Sequence, residues 1–395
     1  TVIVSGGSVP PIESMSKRQR LKIGRDSSKE LTMQAFLGDS TAPKSTSLIL
    51  PPASPTTYEG WREFVNKPQP VRPVVPTAAQ WDAMSATERS DSIELRIIWH
   101  SEMPPVEIGR TTHMIRDATR LALLNYRAMP GTRPGFAFDG LGTLGKSTIL
   151  LQLGQKYEIA MRKKFGLGPY EEAGLNSFLP VVYVTLPGNL AIKPFNQLLI
   201  NFYGIPLSKG ASDTEQTDAI VRIARECGTS LILIDDIHFL KMENKSAQTV
   251  NNHLKYLGSR ISATFAYAGI DLEHSGLLSE GNSEARREIS QTEHRLVCYE
   301  IRPFGVDSSE LSDLLSGLER NICLIKHSEG DLLRRKVYIH RRTGGYVGAI
   351  VMLVKLAANL AIKTGAERIS VKLMKEIVLD HAAERHLRAG SKKRV

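Results

Sequence analysis

Residues 135–148 of the chain, Gly-Phe-Ala-Phe-Asp-Gly-Leu-Gly-Thr-Leu-Gly-Lys-Ser-Thr, decide the fold. They contain Gly140-Leu141-Gly142-Thr143-Leu144-Gly145-Lys146-Ser147, which matches the pattern GxxxxGK[ST] without a mismatch. Glycines let backbone amides turn inward around a phosphate, because no Cβ stands in the way. A short apolar segment, typical of a strand, precedes the loop, and a helical pattern follows it. This context predicts a P-loop, the phosphate-binding loop of nucleotide-binding proteins.

Each part of the loop has an expected role. Residues 140–148, which include Thr148, are expected to bind the nucleotide. Lys146 is expected to place its mobile charge at the β- and γ-phosphates and so to serve catalysis. The Ser147 hydroxyl is expected to bind Mg²⁺.

A strand ending in two acids follows further along the chain, at Leu231-Ile232-Leu233-Ile234-Asp235-Asp236. Asp235 is the expected second Mg²⁺ ligand. Asp236 is expected to orient or deprotonate the attacking water. Alternatively, Asp236 caps the following helix, which is a common role for aspartate. Aspartate is shorter than glutamate, so we expect hydrolysis to be slow.

Hydrolysis of this kind also needs a cation for the charge that develops on the γ-phosphate. Arg295 is the candidate, because it precedes the strand pattern of residues 296–301 and could point across a subunit interface. Arg286 and Arg287 are alternatives, and each of the three could equally be a plain surface arginine.

Strand and helix patterns alternate from residue 135 to residue 301, which predicts an α/β fold with a parallel sheet sandwiched by helices. The predicted organisation has four parts. They are a disordered, Pro/Ser-rich N-terminal tail and linker (1–76), N-terminal helices with the nucleotide-binding core (77–304), a C-terminal α-helical lid (305–384) and a basic tail (385–395).

Charge and cysteine content suggest partners and a compartment. The formal net charge of +10 favours an acidic partner such as nucleic acid, although it could equally serve solubility. The three cysteines are far apart in the sequence, which is typical of a reducing cytoplasm and argues against a zinc site or a disulfide framework. No apolar run is long enough for a membrane span, so we expect a cytoplasmic protein that does not contact membranes.

Beyond the P-loop, three segments resemble one group of AAA+ ATPases, the TniB/TnsC transposition regulators. They are LPVVYVTLP (179–187), LIDDIHFL (233–240) and TGGYVGAI (343–350), the last followed by an Ala-rich helix pattern. Two departures stand out. Asp236 replaces the family's usual glutamate, and residues 267–271 lack the Gly-Thr pair that commonly senses the γ-phosphate.

The resemblance implies an ATPase that uses ATP and Mg²⁺. It implies that ATP lies between subunits, that the protein assembles with itself as a ring or filament on double-stranded DNA, and that it recruits a transposase. The helix after the acidic strand would face the DNA, which makes Lys241, Lys245 and Lys255 candidate contacts; the alternative is a solvated helix face.

Three other functions remain possible from the sequence. A replication helicase loader shares the AAA+ core. A second possibility is a STAND-type signalling NTPase, a class that usually carries long repeats after its lid. A third is a P-loop kinase that acts on a small metabolite, which would need an acceptor pocket and a mobile, arginine-rich lid. The acids Asp235 and Asp236 favour the ATPase branch over the kinase.

Overall fold

The computed structural model describes residues 52–129, 133–167, 178–188, 190–206, 210–240, 245–272 and 296–385 of the 395-residue chain. Its helices are α1 (Tyr58–Asn66), α2 (Ala78–Ala83), α3 (Ala86–Glu102), α4 (Gly109–Tyr126), α5 (Lys146–Lys164), α6 (Ile192–Tyr203), α7 (Asp213–Glu226), α8 (Lys245–Arg260), α9 (Ser309–Asn321), α10 (Lys336–Thr343), α11 (Val347–Lys363) and α12 (Val371–Glu376). Its strands are β1 (Gly135–Asp139), β2 (Val181–Thr185), β3 (Leu231–Asp235), β4 (Thr264–Gly269) and β5 (Leu296–Glu300). The expected tail before residue 52 and residues 386–395 lie outside the described residues.

The strands described form one parallel sheet in the order β2-β3-β4-β1-β5. Strand β1 lies between β4 and β5, so Phe138 has Ala268 on one side and Tyr299 on the other. Every residue of β3 is buried, as are the first four residues of β1 and β2. Burial of consecutive residues requires cover on both faces of the sheet, which confirms the predicted α/β sandwich.

Local sequence signals set the starts of several helices. Ser85 and Glu88 form a capping box at α3, and Ser212 and Glu215 form one at α7. In each, the serine side chain accepts an amide that the helix leaves unpaired, and the glutamate reaches back to the cap amide. Thr77 and Gln80 form the same arrangement at α2.

The structure differs from the predicted flexible linker before residue 77. Residues 58–66 form helix α1, in which Trp61 is completely buried against the core. Residues 58–66 contain no proline, and the prolines of this region flank the helix without interrupting it, so the Pro-rich composition does not prevent a helix here. Further along, the Arg72 guanidinium donates to the Ile322 carbonyl at 3.0 Å, which ties the extended segment to the lid.

Helix α3 packs with the lid, although the sequence analysis placed it with the nucleotide-binding core in residues 77–304. Helix α3 packs on α11, and its Trp99 indole donates to the Asn321 carbonyl at 2.7 Å. The imidazole of His100 accepts the Cys323 amide at 2.9 Å. Apolar side chains of α3 join those of α9 to α12 in a hydrophobic cluster separate from the one around the sheet. Hydrophobic periodicity predicted the helix but could not reveal which core it joins.

The described residues contain no single helix that is long and apolar enough to cross a membrane.

Candidate nucleotide-binding site

The P-loop leaves the carboxyl end of β1, a strand in the interior of the sheet, and leads into α5. Gly145 has a φ of 86°, a left-handed conformation that glycine adopts without a steric penalty. Thr143 also has a positive φ, 60°, which is uncommon for a residue with a side chain. These two positions curl the loop around the N-terminus of α5, where unpaired amides favour anions.

Lys146 begins α5 and is 8 % exposed. Its ammonium donates to the carbonyls of Gly140 and Leu141, at 2.7 Å each. Burial lowers the pKa of Lys146, while the carboxylates of Asp235, Asp236 and Asp139 act in the opposite direction. The lysine of the loop and the two acids at the end of β3 therefore share one electrostatic environment.

Asp235 ends β3 and is 3 % exposed. One carboxylate oxygen accepts the Tyr183 hydroxyl at 2.8 Å, and the other accepts the Asp236 amide at 2.9 Å. A carboxylate oxygen has a second lone pair, so both can still accept. Together with the exposed hydroxyl of Ser147, Asp235 offers the hard oxygen donors that Mg²⁺ prefers. This donor set fits Mg²⁺.

Asp236 has a φ of 57°, in the left-handed region, and its side chain is 40 % exposed. Its side chain makes no capping hydrogen bond to the 3₁₀ turn Ile237–Phe239, so the capping alternative is wrong. Burial and the neighbouring Asp235 raise the pKa of Asp236, while His238 and Lys146 lower it. Aspartate tolerates a left-handed backbone better than glutamate, which gives a physical reason for aspartate at this position.

Asp139, directly before the first glycine, is a site residue that the sequence analysis missed. One of its carboxylate oxygens accepts the Leu272 amide at 3.1 Å, and the Gly140 amide donates to the Gly269 carbonyl at 3.3 Å. These two bonds join the start of the P-loop to the end of β4 and to the turn that follows it. The only signal in the sequence was an acid at the end of the first strand.

A cavity of about 330 Å³ opens beside the P-loop, between the core and the lid. The P-loop side contributes Gly145 and Thr148, and the lid contributes Val347 and Val351. Residues 103–108, between α3 and α4, form another wall. The Gly348 amide, in the first turn of α11, donates to the Thr143 carbonyl at 3.0 Å and so holds the lid against the loop. The lining is mainly apolar, as expected of a site for a nucleotide base.

The other residues predicted from the sequence are not all gathered here. Leu144 is buried under the loop, while Leu141, Gly142, Ser147 and Thr148 are exposed. Lys255 is half-buried on α8, and Lys245 is the first residue of that helix. The candidates outside the described residues are Lys241, Arg286, Arg287 and Arg295.

The parallel sheet, the P-loop at its interior strand and the helical lid together define a P-loop NTPase with the AAA+ fold. The Aeropyrum pernix ORC2 protein, solved in ADPNP-ADP complexes, has a similar structure. It is 15 % identical in sequence, with a TM-score of 0.54 and 70 % of each chain covered. At this identity, the likeness establishes the fold alone.

Two further solved structures match at lower TM-scores. The Aeropyrum pernix ORC1 protein in complex with DNA has a TM-score of 0.47 and 16 % identity, over 69 % of this chain and 65 % of that one. Cdc6p from Pyrobaculum aerophilum has a TM-score of 0.47 and 17 % identity, over 71 % of this chain and 70 % of that one.

Residues 113–290 match the model of the family described as Bacterial TniB protein. This segment includes the P-loop and both aspartates, and the match confirms the resemblance to the TniB group that the sequence indicated. A search of curated proteins found no match.

Proposed function

We propose that this protein is an ATP-dependent regulator of transposition that oligomerises on double-stranded DNA and recruits or activates a transposase. The observation that carries the proposal is the TniB match over residues 113–290, the segment that holds the P-loop and the acidic strand. The geometry of the nucleotide site supports its ATP-dependent part.

ATP fits the site in one orientation. The base enters the apolar cavity between the core and the lid, and the phosphates lie along the amides of residues 140–148. Lys146 gives up its carbonyl partners in the loop and donates to the β- and γ-phosphates. Ser147 and Asp235 are the residues that would hold Mg²⁺, and the ion would supply positive charge for the phosphates.

Hydrolysis depends on Asp236 and on a cation. Asp236 orients the attacking water and accepts its proton. Its short side chain reaches less far than that of glutamate, so ATP turns over slowly. Arg295 of a neighbouring subunit supplies the cation, which makes hydrolysis depend on assembly.

Contact with DNA is made mainly to phosphates. The net charge of +10 supports this, and α8, which begins with Lys245 and carries Lys255, is the proposed contact helix together with Lys241 just before it. Binding of this kind falls steeply with salt concentration and depends little on base sequence.

Nucleotide-dependent assembly tests the proposal. The full chain is mixed with duplex DNA and with ATP, a non-hydrolysable ATP analogue or no nucleotide, and assemblies are followed by sedimentation and electron microscopy. Rings or filaments on DNA are expected with either nucleotide and not without one. Lys146→Ala should abolish them, because the phosphates lose their lysine.

Lys163→Ala is the matched control, since Lys163 is an exposed lysine in the last turn of the same helix α5, at the opposite end from the loop. If the protein does not assemble on duplex DNA with any of the nucleotides, the proposal is contradicted. A transposase reading frame beside the gene for this protein would support the transposition part and supply the partner for binding assays.

A further inference from the structure

Tyr183 and Asp235 lie on neighbouring strands, and their side chains meet at the carboxyl end of the sheet. Strands β2 and β3 pair in parallel, with Thr185 opposite Asp235. The Tyr183 hydroxyl, two residues earlier, reaches the Asp235 carboxylate at 2.8 Å. The hydroxyl is the donor in this bond, because an ionised carboxylate has no proton to give.

This hydrogen bond determines how the carboxylate of Asp235 is oriented. The other oxygen is held by the Asp236 amide at 2.9 Å, so one bond on each side limits rotation of the group. Loss of the Tyr183 bond would leave the Asp236 amide as the remaining one of these two partners that orient the buried carboxylate. Partners that orient a metal ligand in this way affect metal affinity although they never touch the metal.

The indole ring of Trp61, from helix α1, packs against the ring of Tyr183. The two rings are stacked, with centroids 6.3 Å apart and planes 20° apart. Trp61 is completely buried, and its indole nitrogen donates to the Glu158 carboxylate at 2.6 Å. Glu158 is in turn paired with Arg162 at 3.0 Å, so the indole is fixed to α5 as well as to the sheet.

Helix α5 leaves room for the indole at Gly154. A Cβ at Gly154 would lie 2.6 Å from the Trp61 ring and 2.6 Å from the Leu233 side chain. The glycine therefore opens a slot in which the ring of Trp61 reaches the sheet beside Tyr183.

We infer that Tyr183 is a positioning residue for the metal-binding carboxylate of Asp235, and that Trp61 of helix α1 holds the Tyr183 ring in place. The N-terminal helix is then part of the support of the Mg²⁺-nucleotide site, although it contributes no ligand. This inference rests on the proposed binding of ATP and Mg²⁺.

Calorimetric titration with a non-hydrolysable ATP analogue, in EDTA and over a series of Mg²⁺ concentrations, tests the inference. Tyr183→Phe removes only the hydroxyl. The Mg²⁺ concentration for half-maximal tight binding should rise about tenfold, while the affinity in EDTA stays at the wild-type value. Trp61→Phe keeps an aromatic ring but loses the bond to Glu158, so we expect a smaller shift in the same direction.

Two matched controls separate positioning from general packing. Tyr157→Phe removes another buried tyrosine hydroxyl, which contacts Ser230 at 2.9 Å. Trp99→Phe removes another buried indole donor, on the lid. Both should lower stability without changing the Mg²⁺ dependence.

A wild-type Mg²⁺ dependence in Tyr183→Phe, or an equal shift in Tyr157→Phe, would overturn the inference alone. A wild-type chain that binds no nucleotide with or without Mg²⁺ would overturn the proposed function, and the inference would fall with it.

Discussion

Arg96 and Glu367 form a buried two-point ion pair, although 271 residues separate them in the chain. The two terminal nitrogens of the guanidinium donate to the two carboxylate oxygens, at 2.7 and 3.1 Å. The Arg96 side chain is 0 % exposed and that of Glu367 is 6 % exposed. The pair fastens α3 to the segment that follows α11, and so joins the two parts of the lid.

Removal of Arg96 should destabilise the protein strongly. Arg96→Met leaves the Glu367 carboxylate buried without its cation, and the free energy of unfolding should fall by about 3–5 kcal/mol. The double variant Arg96→Met/Glu367→Gln should recover part of this loss, because no charge then remains buried. Urea denaturation measures both. Lys67→Met, which breaks an exposed pair with Glu102, is the control and should cost less than about 1 kcal/mol. Equal losses in the Arg96 and Lys67 variants would refute the argument.

His100 should make the stability of the lid sensitive to acid. Burial lowers its pKa from 6.5 to about 4. Its Nε2 accepts the Cys323 amide, so Nδ1 carries the proton and donates to Asn359 at 3.1 Å. Between pH 6.5 and about 4 the unfolded chain binds more protons than the folded one, so stability falls as the pH falls through this window.

The expected contribution is about 1.4 kcal/mol for each pH unit within this window. Urea denaturation at several pH values measures the slope. His100→Gln has no titrating group, and its slope should be smaller by this amount. The same slope in both proteins would show that other groups cause the acid sensitivity.

Asp236→Asn should separate ATP binding from hydrolysis. Asparagine has the same shape and tolerates the left-handed backbone, but it cannot accept a proton from water. The hydrolysis rate should fall by about 10²- to 10⁴-fold, while nucleotide affinity stays near the wild-type value. Phosphate release and calorimetry measure the two quantities. Asp271→Asn is the control, because Asp271 also follows a core strand and has a φ of 55°. If Asp236→Asn hydrolyses ATP at the wild-type rate, another group must be the base.

Filling the cavity between core and lid should weaken nucleotide binding. Val351 lines the cavity from α11, and Val351→Trp places an indole where the base is proposed to bind. Steric overlap between this indole and the base should cost about 1–3 kcal/mol of binding free energy. This corresponds to an affinity loss of roughly 5- to 150-fold. Leu356→Trp, on the exposed side of the same helix, is the control. Unchanged affinity in the Val351 variant would place the base elsewhere.

The sequence predicted those parts of the site that depend on local chemistry. A P-loop needs glycines, a lysine and a hydroxyl within eight residues, and β3 needs an apolar run that ends in acids. Both patterns are readable without knowledge of the fold. The α/β class followed from the alternation of strand and helix patterns, and the sheet order bears it out.

The parts that sequence reasoning missed depend on contacts between distant residues. Helix α1 docks because Gly154 and Glu158 provide a slot and an acceptor for Trp61, about a hundred residues away. The cavity between core and lid combines residues 103–108 with α11, and no local pattern marks either wall. Asp139 is a single acid whose role appears only when Leu272 lies beside it.

The assignment of α3 to the lid has a consequence for the order in which the chain can fold during synthesis. Ile93 and Ile97 leave the ribosome early, yet they pack with apolar residues of α9 to α12. Trp99 cannot form its hydrogen bond until Asn321, 222 residues later, has been synthesised, and Arg96 cannot pair until Glu367 has been synthesised. Contacts over such separations form slowly, and apolar surface that is exposed meanwhile invites aggregation. The nucleotide-binding sheet can therefore form before α3 has its packing partners. Helix α3 is then the part of the nascent chain that most needs a chaperone.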